Sequence, residues 1–250
     1  MIRLKKLFNC PSPAATAAGP SGGRARLRAL DGGEKEAKRQ AILDAADGLF
    51  AQRHELANVA DIALAAGLAK GTVYLYFESK EEIYLALHLR HMERFLGALI
   101  ARLDTESAFC FHELTALASL HTLSDSNDLP LGACCTGFAA GAVSSAAAEN
   151  FQTCLTAWLE SAGASLERHF PKLSRGEGAR LLNHSYAIMI GLYSLMRSEQ
   201  SGGLKCAQIQ GMGSFQEEAL LALTRYWTQV AGIDGGALKA AAKPQQRNKK

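Results

Sequence analysis

Long apolar runs are missing from this chain. Although 48% of its 250 residues are hydrophobic, no run reaches the ~20 residues that a membrane-spanning helix needs, so no membrane partner is expected. The basic start, Met1 to Phe8, is followed by no uninterrupted apolar segment and no cleavage site. That argues against a secretory signal and makes the cytoplasm the expected compartment. Cysteine spacing is wrong for a metal site: Cys10, Cys110, Cys134, Cys135, Cys154 and Cys206 include no CxxC pair. They match neither a zinc pattern nor the framework of a small secreted domain, so small buried thiols are expected. A surplus of one charge is also missing. A net charge of +3 is too small for a whole-molecule argument about nucleic acid, so any basic footprint must be local. No carboxylate pair, nucleophile triad, phosphate loop or metal cluster emerges, so no enzyme and no cofactor is expected.

What the chain does have is helical periodicity almost throughout, in a length sufficient to bury a core. An all-α fold is expected. The most informative stretch is Asn58–Phe77, NVADIALAAGLAKGTVYLYF. Val59, Ile62, Ala63 and Ala66 form a short apolar stripe, Gly67 follows where a tight turn needs a left-handed backbone, and a second short segment carries Lys70, Thr72, Tyr74 and Tyr76. Two short helices at a steep angle make a helix-turn-helix, whose second helix can enter a DNA major groove. Asn58 suits the N-cap of the first of these helices. Upstream, Ile42, Ala45, Ala46, Leu49 and Phe50 mark a helix over about 34–53, with Lys35 and Lys38 near its start. There their charges oppose the helix dipole, so a phosphate backbone is one reason for them and ordinary surface charge the other. Downstream, Ser79-Lys80-Glu81-Glu82 reads as a capping box in which Ser79 caps and Glu82 reaches back to its N–H, opening a long helix over about 80–103.

The ordered set Val59, Asp61, Ile62, Ala63, Ala66, Gly67, Lys70, Gly71, Thr72, Tyr74, Tyr76, Phe77, Ser79, Lys80, Glu81 and Glu82 resembles the TetR family of bacterial transcriptional regulators. The likeness covers roughly residues 35–95. It implies an N-terminal three-helix DNA-binding domain over 34–78, with its motif at 58–77, and a C-terminal helical effector-binding and dimerisation domain over 79–232. It also implies that Lys70, Gly71 and Thr72 face the groove, that Tyr74, Tyr76 and Lys80 reach phosphates, and that Asn58 stands where relatives carry a phosphate-touching hydroxyl. Two departures from the family pattern are visible. The turn Arg53–Asn58 has no glycine, so His54 or Asn58 must take the left-handed conformation or the helix ends at a cost. Ala69 replaces the usual hydroxyl cap of the second motif helix, which should fray that helix by about 1 kcal/mol.

Residues 1–33 read as a disordered leader and 233–250 as a basic disordered tail. Helices are expected at about 108–123, 129–143, 146–170, 174–199 and 215–231. The family layout implies an apolar effector pocket, for which Phe109, His112, Phe138, Trp158, His184, Tyr186 and Tyr193 are the candidates; plain core packing is the commoner role for each. It also implies a four-helix dimer interface, for which Leu181, Ile188, Leu192, Leu195, Leu220, Leu223 and Trp227 are the candidates. The reading is therefore a homodimer that binds a near-palindromic double-stranded operator and is released by a small-molecule effector. The rivals are a redox, metal or haem sensor of the same fold, with His88 and His91 at i, i+3, and a helical enzyme or carrier that ignores DNA.

Overall fold

A computed structural model describes residues 22–105, 113–115, 127–197 and 212–232, and among them every regular element is helical. In chain order they are α1 (Gly22–Arg53), α2 (Val59–Ala65), α3 (Lys70–Tyr74), α4 (Lys80–Leu103), α5 (Asp128–Thr136), α6 (Ser145–His169), α7 (Glu177–Arg197) and α8 (Phe215–Ala231). The all-α expectation holds.

Two boundaries differ from the sequence reading. The first helix begins at Gly22 rather than Glu34, so residues 22–33 are not part of an irregular leader. Alanine, arginine and leucine dominate 24–30 and favour helix, and a helix already nucleated by the buried stripe downstream extends at little cost. The other difference is α5, which stops at Thr136 instead of running to Val143. Gly137 interrupts it, and Gly141 sits at φ +83°, a conformation no helix contains. Residues 1–21, the tail from 233 and most of the helix expected at 108–123 lie outside the described residues, although 113–115 are helical.

The chain divides into two compact units: residues up to Glu93 with Pro130–Ala157, and Arg94–Leu129 with Trp158 onward. The first unit is built on Ile42, Leu43, Ala46 and Phe50 of α1, Val59, Ile62 and Ala63 of α2, Val73 and Phe77 around α3, and Ile83, Tyr84 and Leu87 of α4. Leu131 of α5 completes that core. Their burial is what fixes helices too short to persist alone.

The second unit is organised by α7 against α8 and by an unusually close crossing of α6 and α7. A Cβ added at Gly163 would lie 2.2 Å from the Ala179 nitrogen, and one at Gly178 would lie 2.2 Å from the Gly163 carbonyl oxygen. Only glycine lets the two backbones meet at that distance. Trp227, 1% exposed, donates its Nε1–H to Ser185 Oγ at 2.8 Å, and that hydroxyl donates to the Leu181 carbonyl at 2.7 Å. Its ring meets Phe170 edge-on. α8 is closed by a Ser214–Glu217 capping box and by Gly232 in the left-handed conformation.

Of the residues expected at the dimer interface, Leu181, Leu223 and Trp227 are buried within the single chain. Ile188 and Leu192 are half-buried, whereas Leu195 and Leu220 remain exposed. Both helices carry apolar faces wider than one contact needs, and periodicity alone does not say which half the chain uses internally.

Candidate nucleic-acid interface

The turn before α2 holds its shape without glycine. His54 adopts φ +53°, the only non-glycine in the left-handed region among the described residues, and its N–H donates to the Phe50 carbonyl at 2.7 Å. Tyr84, fully buried, accepts a hydrogen bond on its hydroxyl from the Ala57 N–H at 2.9 Å and so pins the turn from α4. Burial raises the Tyr84 pKa above the ordinary phenol value, against the pull of the Ala57 N–H, so the group stays neutral.

Asn58 caps α2 as the sequence predicts: its Oδ1 accepts from the N–H groups of Ala60 and Asp61 at 2.9 and 3.0 Å. Its Nδ2 donates to Asp61 Oδ2 at 2.7 Å. Gly67 takes φ +67° in the turn. At α3, Ala69 provides no side-chain cap, which leaves the first N–H groups of the helix without that acceptor. Val73 (0% exposed) and Phe77 (6%) anchor α3 inward. Lys70, Gly71, Tyr74 and Leu75 face solvent, Thr72 and Tyr76 are half-buried, and Tyr76 packs on the core of the first unit. The Lys70 ammonium lies over the Tyr74 ring, 5.9 Å from its centroid, so cation–π attraction holds the two side chains together on the outer face. Leu75 carries no charge or hydrogen-bonding group, and sequence reasoning passed over it for that reason; its helical phase was the available signal.

The flanking cations divide. Lys35 is exposed. Lys38 pairs with Glu34 at 2.7 Å. Lys80 stands 4.0 Å from Glu81, at the limit of an ion pair. Exposed pairs of this kind are weak and easily exchanged for another anion.

The start of α4 differs from the expected capping box. Ser79 Oγ accepts from the Glu82 N–H at 3.2 Å, but Glu82 Oε2 accepts from the Glu78 N–H rather than from Ser79. Glu82 Oε1 instead accepts from the N–H and hydroxyl of Ser144, at 3.1 and 2.6 Å, while the Ser79 hydroxyl donates to the Ala142 carbonyl. The loop after α5 thus takes the other half of the box, a long-range pairing that local sequence does not encode. Burial alone would raise the Glu82 pKa, but the Ser144 hydroxyl and the Glu78 and Ser144 N–H groups outweigh it, and the net shift is downward from 4.5. The unfolded chain therefore binds this proton more readily. The stabilisation is present above about pH 4.5 and is lost as pH falls through the lower folded value. Acid titration followed by circular dichroism is expected to show a weaker pH dependence of stability for Glu82→Gln than for the wild type.

His88 and His91 are interior residues. His88 stacks on Phe151, and His91 Nε2 lies 3.1 Å from Asp47 Oδ2. No group of three or more His, Cys, Asp or Glu side chains is placed to hold a metal among the described residues. Cys134 and Cys135 are half-buried against the first unit's core. Burial, and secondarily Cys134, pushes the Cys135 thiol well above the ordinary range, which makes it a poor nucleophile. Cys154 is buried and disulfide-bonded, a departure from the free thiol expected of it.

The expected effector residues fall in both units. Phe138 packs on the core of the first unit, whereas Trp158, His184, Tyr186 and Tyr193 belong to the second. Trp158 covers Gly97. His184 is exposed and its Nδ1 lies 2.8 Å from the Tyr226 hydroxyl; Tyr193 meets Phe215 edge-on. Phe109 and His112 lie outside the described residues. Aromatic composition located apolar surface but could not say which helix would consume it.

Residues 42–87 match the model of the bacterial regulatory proteins of the tetR family. The chain is 38% identical over 78 residues to the HTH-type transcriptional repressor LfrR of Mycolicibacterium smegmatis, covering 31% of this chain and 40% of that protein. It is 39% identical over 89 residues to the fatty acid metabolism regulator protein of Bacillus subtilis, covering 35% of this chain and 45% of that one. The matched stretch thus spans less than half the length of either relative. Among solved structures, the fatty acid degradation regulator FadR of Bacillus halodurans aligns with a TM-score of 0.49 and 20% identity over 79% of this chain and 96% of that one.

Proposed function

We propose that this chain carries the DNA-binding segment of the TetR family of bacterial regulatory proteins, which residues 42–87 match, and that the whole protein is a homodimeric, ligand-responsive transcriptional repressor of the cytoplasm. The observation that carries the reading is α3: a helix anchored by Val73 and Phe77 that turns Lys70, Gly71 and Tyr74 to solvent at the end of a helix-turn-helix. Such a face suits the major groove. Lys70 can donate to guanine O6 or N7, Gly71 admits close approach, Thr72 reaches a thymine methyl or a phosphate, and Tyr74 and Tyr76 reach phosphates with their hydroxyls. Lys35, Lys38, Asn58 and Lys80 flank it as further phosphate contacts, and the ion pairs of Lys38 and Lys80 are weak enough to exchange. Repression is favoured by the repressor role of the Mycolicibacterium smegmatis relative.

The operator would be near-palindromic, read by two copies of α3. An effector that prefers the conformation with the wrong half-site spacing must weaken operator binding, and the operator must weaken effector binding by the same factor. The exposed leucines of α7 and α8, Leu195 and Leu220, fit a contact with a second copy. Sedimentation is expected to give a dimer for the wild type and a folded monomer for Leu195→Glu/Leu220→Glu; a double variant that stays dimeric would remove this surface from the reading.

The function is tested by titrating the purified protein onto genomic fragments around its own gene at fixed salt. Tight binding to one fragment, lost in Lys70→Ala/Tyr74→Ala, is the expected result. Only weak, sequence-blind binding would reject it.

A further inference from the structure

Leu75 is 79% exposed, although it is a leucine in the best-anchored part of a well-packed unit. A lone exposed leucine needs no explanation, and Leu64 on α2 is one such. Leu75 differs by its position. It is the C-cap residue of α3 with φ −73° and ψ −15°, so it continues the helical phase. At about 100° per residue it points roughly 180° away from the midpoint of Val73 and Phe77, the two buried anchors. It therefore occupies the centre of the outward face. Gly71, one turn earlier on that face, has no side chain, and a Cβ placed there would meet nothing within 4 Å. Tyr74, its exposed sequence neighbour, carries the Lys70 ammonium over its ring on the flank of that face.

We propose that Leu75 is a specificity-determining residue that reads a thymine in each half-site through apolar contact with its C5-methyl group; this rests on the DNA-binding reading above. The occupant follows from the surroundings. A single leucine is too small a patch for a protein interface, and the cation and phenol on the same short helix suit a phosphate-walled groove. Within a major groove the only apolar group on a base edge is the thymine methyl. Gly71 removes the side chain that would keep the groove floor from reaching Leu75.

The test starts from duplexes selected by the full-length wild-type protein out of a random double-stranded pool at fixed salt. Affinities are then measured for wild type and Leu75→Ala on the selected site and on copies in which one thymine at a time is replaced by deoxyuridine. The wild type is expected to lose about fourfold at one thymine per half-site, the size of one buried methyl. Leu75→Ala should bind the parent site more weakly and lose less than about twofold from the same replacement, while Leu75→Met retains the wild-type penalty. The salt dependence should be equal for all three, because no phosphate contact changes. An unchanged uridine penalty in Leu75→Ala, or no penalty at any thymine in the wild type, would overturn the assignment while leaving the regulator intact. Failure to enrich any sequence would overturn both.

Discussion

Gly163→Ala is expected to destabilise the second unit by at least about 3 kcal/mol, at the upper end of what overpacking costs. The added Cβ would stand 2.2 Å from a backbone nitrogen, 2.7 Å from a Cα and 2.8 Å from a carbonyl carbon, all on α7. No side-chain rotation relieves a clash with backbone; the helices must separate. Gly178→Ala meets the reciprocal obstacle, the Gly163 carbonyl oxygen. Gly48→Ala on α1 is the control, since its Cβ would meet nothing within 4 Å. Replacing a mid-helix glycine there should stabilise by about 1 kcal/mol. Thermal unfolding followed by circular dichroism checks all three, and equal melting temperatures for Gly163→Ala and the wild type would show that the crossing is looser than described.

Trp227→Ala should cost about 3–5 kcal/mol, the usual range for emptying a fully buried aromatic site. The loss combines the cavity, the edge-on contact with Phe170 and the hydrogen bond to Ser185. The form of the loss separates two roles for this residue. A core role predicts an unfolded or much less stable chain at every protein concentration. An interface role predicts a folded monomer. Denaturant titration beside sedimentation distinguishes them, and a stable, folded Trp227→Ala monomer would return Trp227 to the dimer interface.

The helix-turn-helix was legible from the sequence because its determinants are local. Asn58, Gly67, Val73 and Phe77 each act through bonds or burial within a few residues, and their spacing declares a period and a turn. His54 could be anticipated as a left-handed residue only because a glycine was missing beside it. What sequence did not convey is pairing at long range. Glu82 bonds Ser144, Tyr84 bonds Ala57, and the Ser79 hydroxyl bonds Ala142. These partners are chosen by the fold, not by neighbours. The same limit explains Leu181, Leu223 and Trp227: hydrophobic periodicity states that a face is buried without stating what buries it. The beginning of α1 went unread because two glycine pairs, Gly22-Gly23 and Gly32-Gly33, and proline-containing stretches nearby looked like a leader, while the helix propensity between the pairs was sufficient to extend the helix.

The most direct test of the central claim is a hydroxyl-radical footprint of the full-length protein on the fragment it binds. If two copies of α3 read one near-palindrome, the footprint must show two protected half-sites related by a twofold axis, their centres about one helical turn or a multiple of it apart. In Lys70→Ala/Tyr74→Ala that protection must disappear at the same salt. A single unpaired footprint, or uniform weak protection that the double variant keeps, would contradict the account.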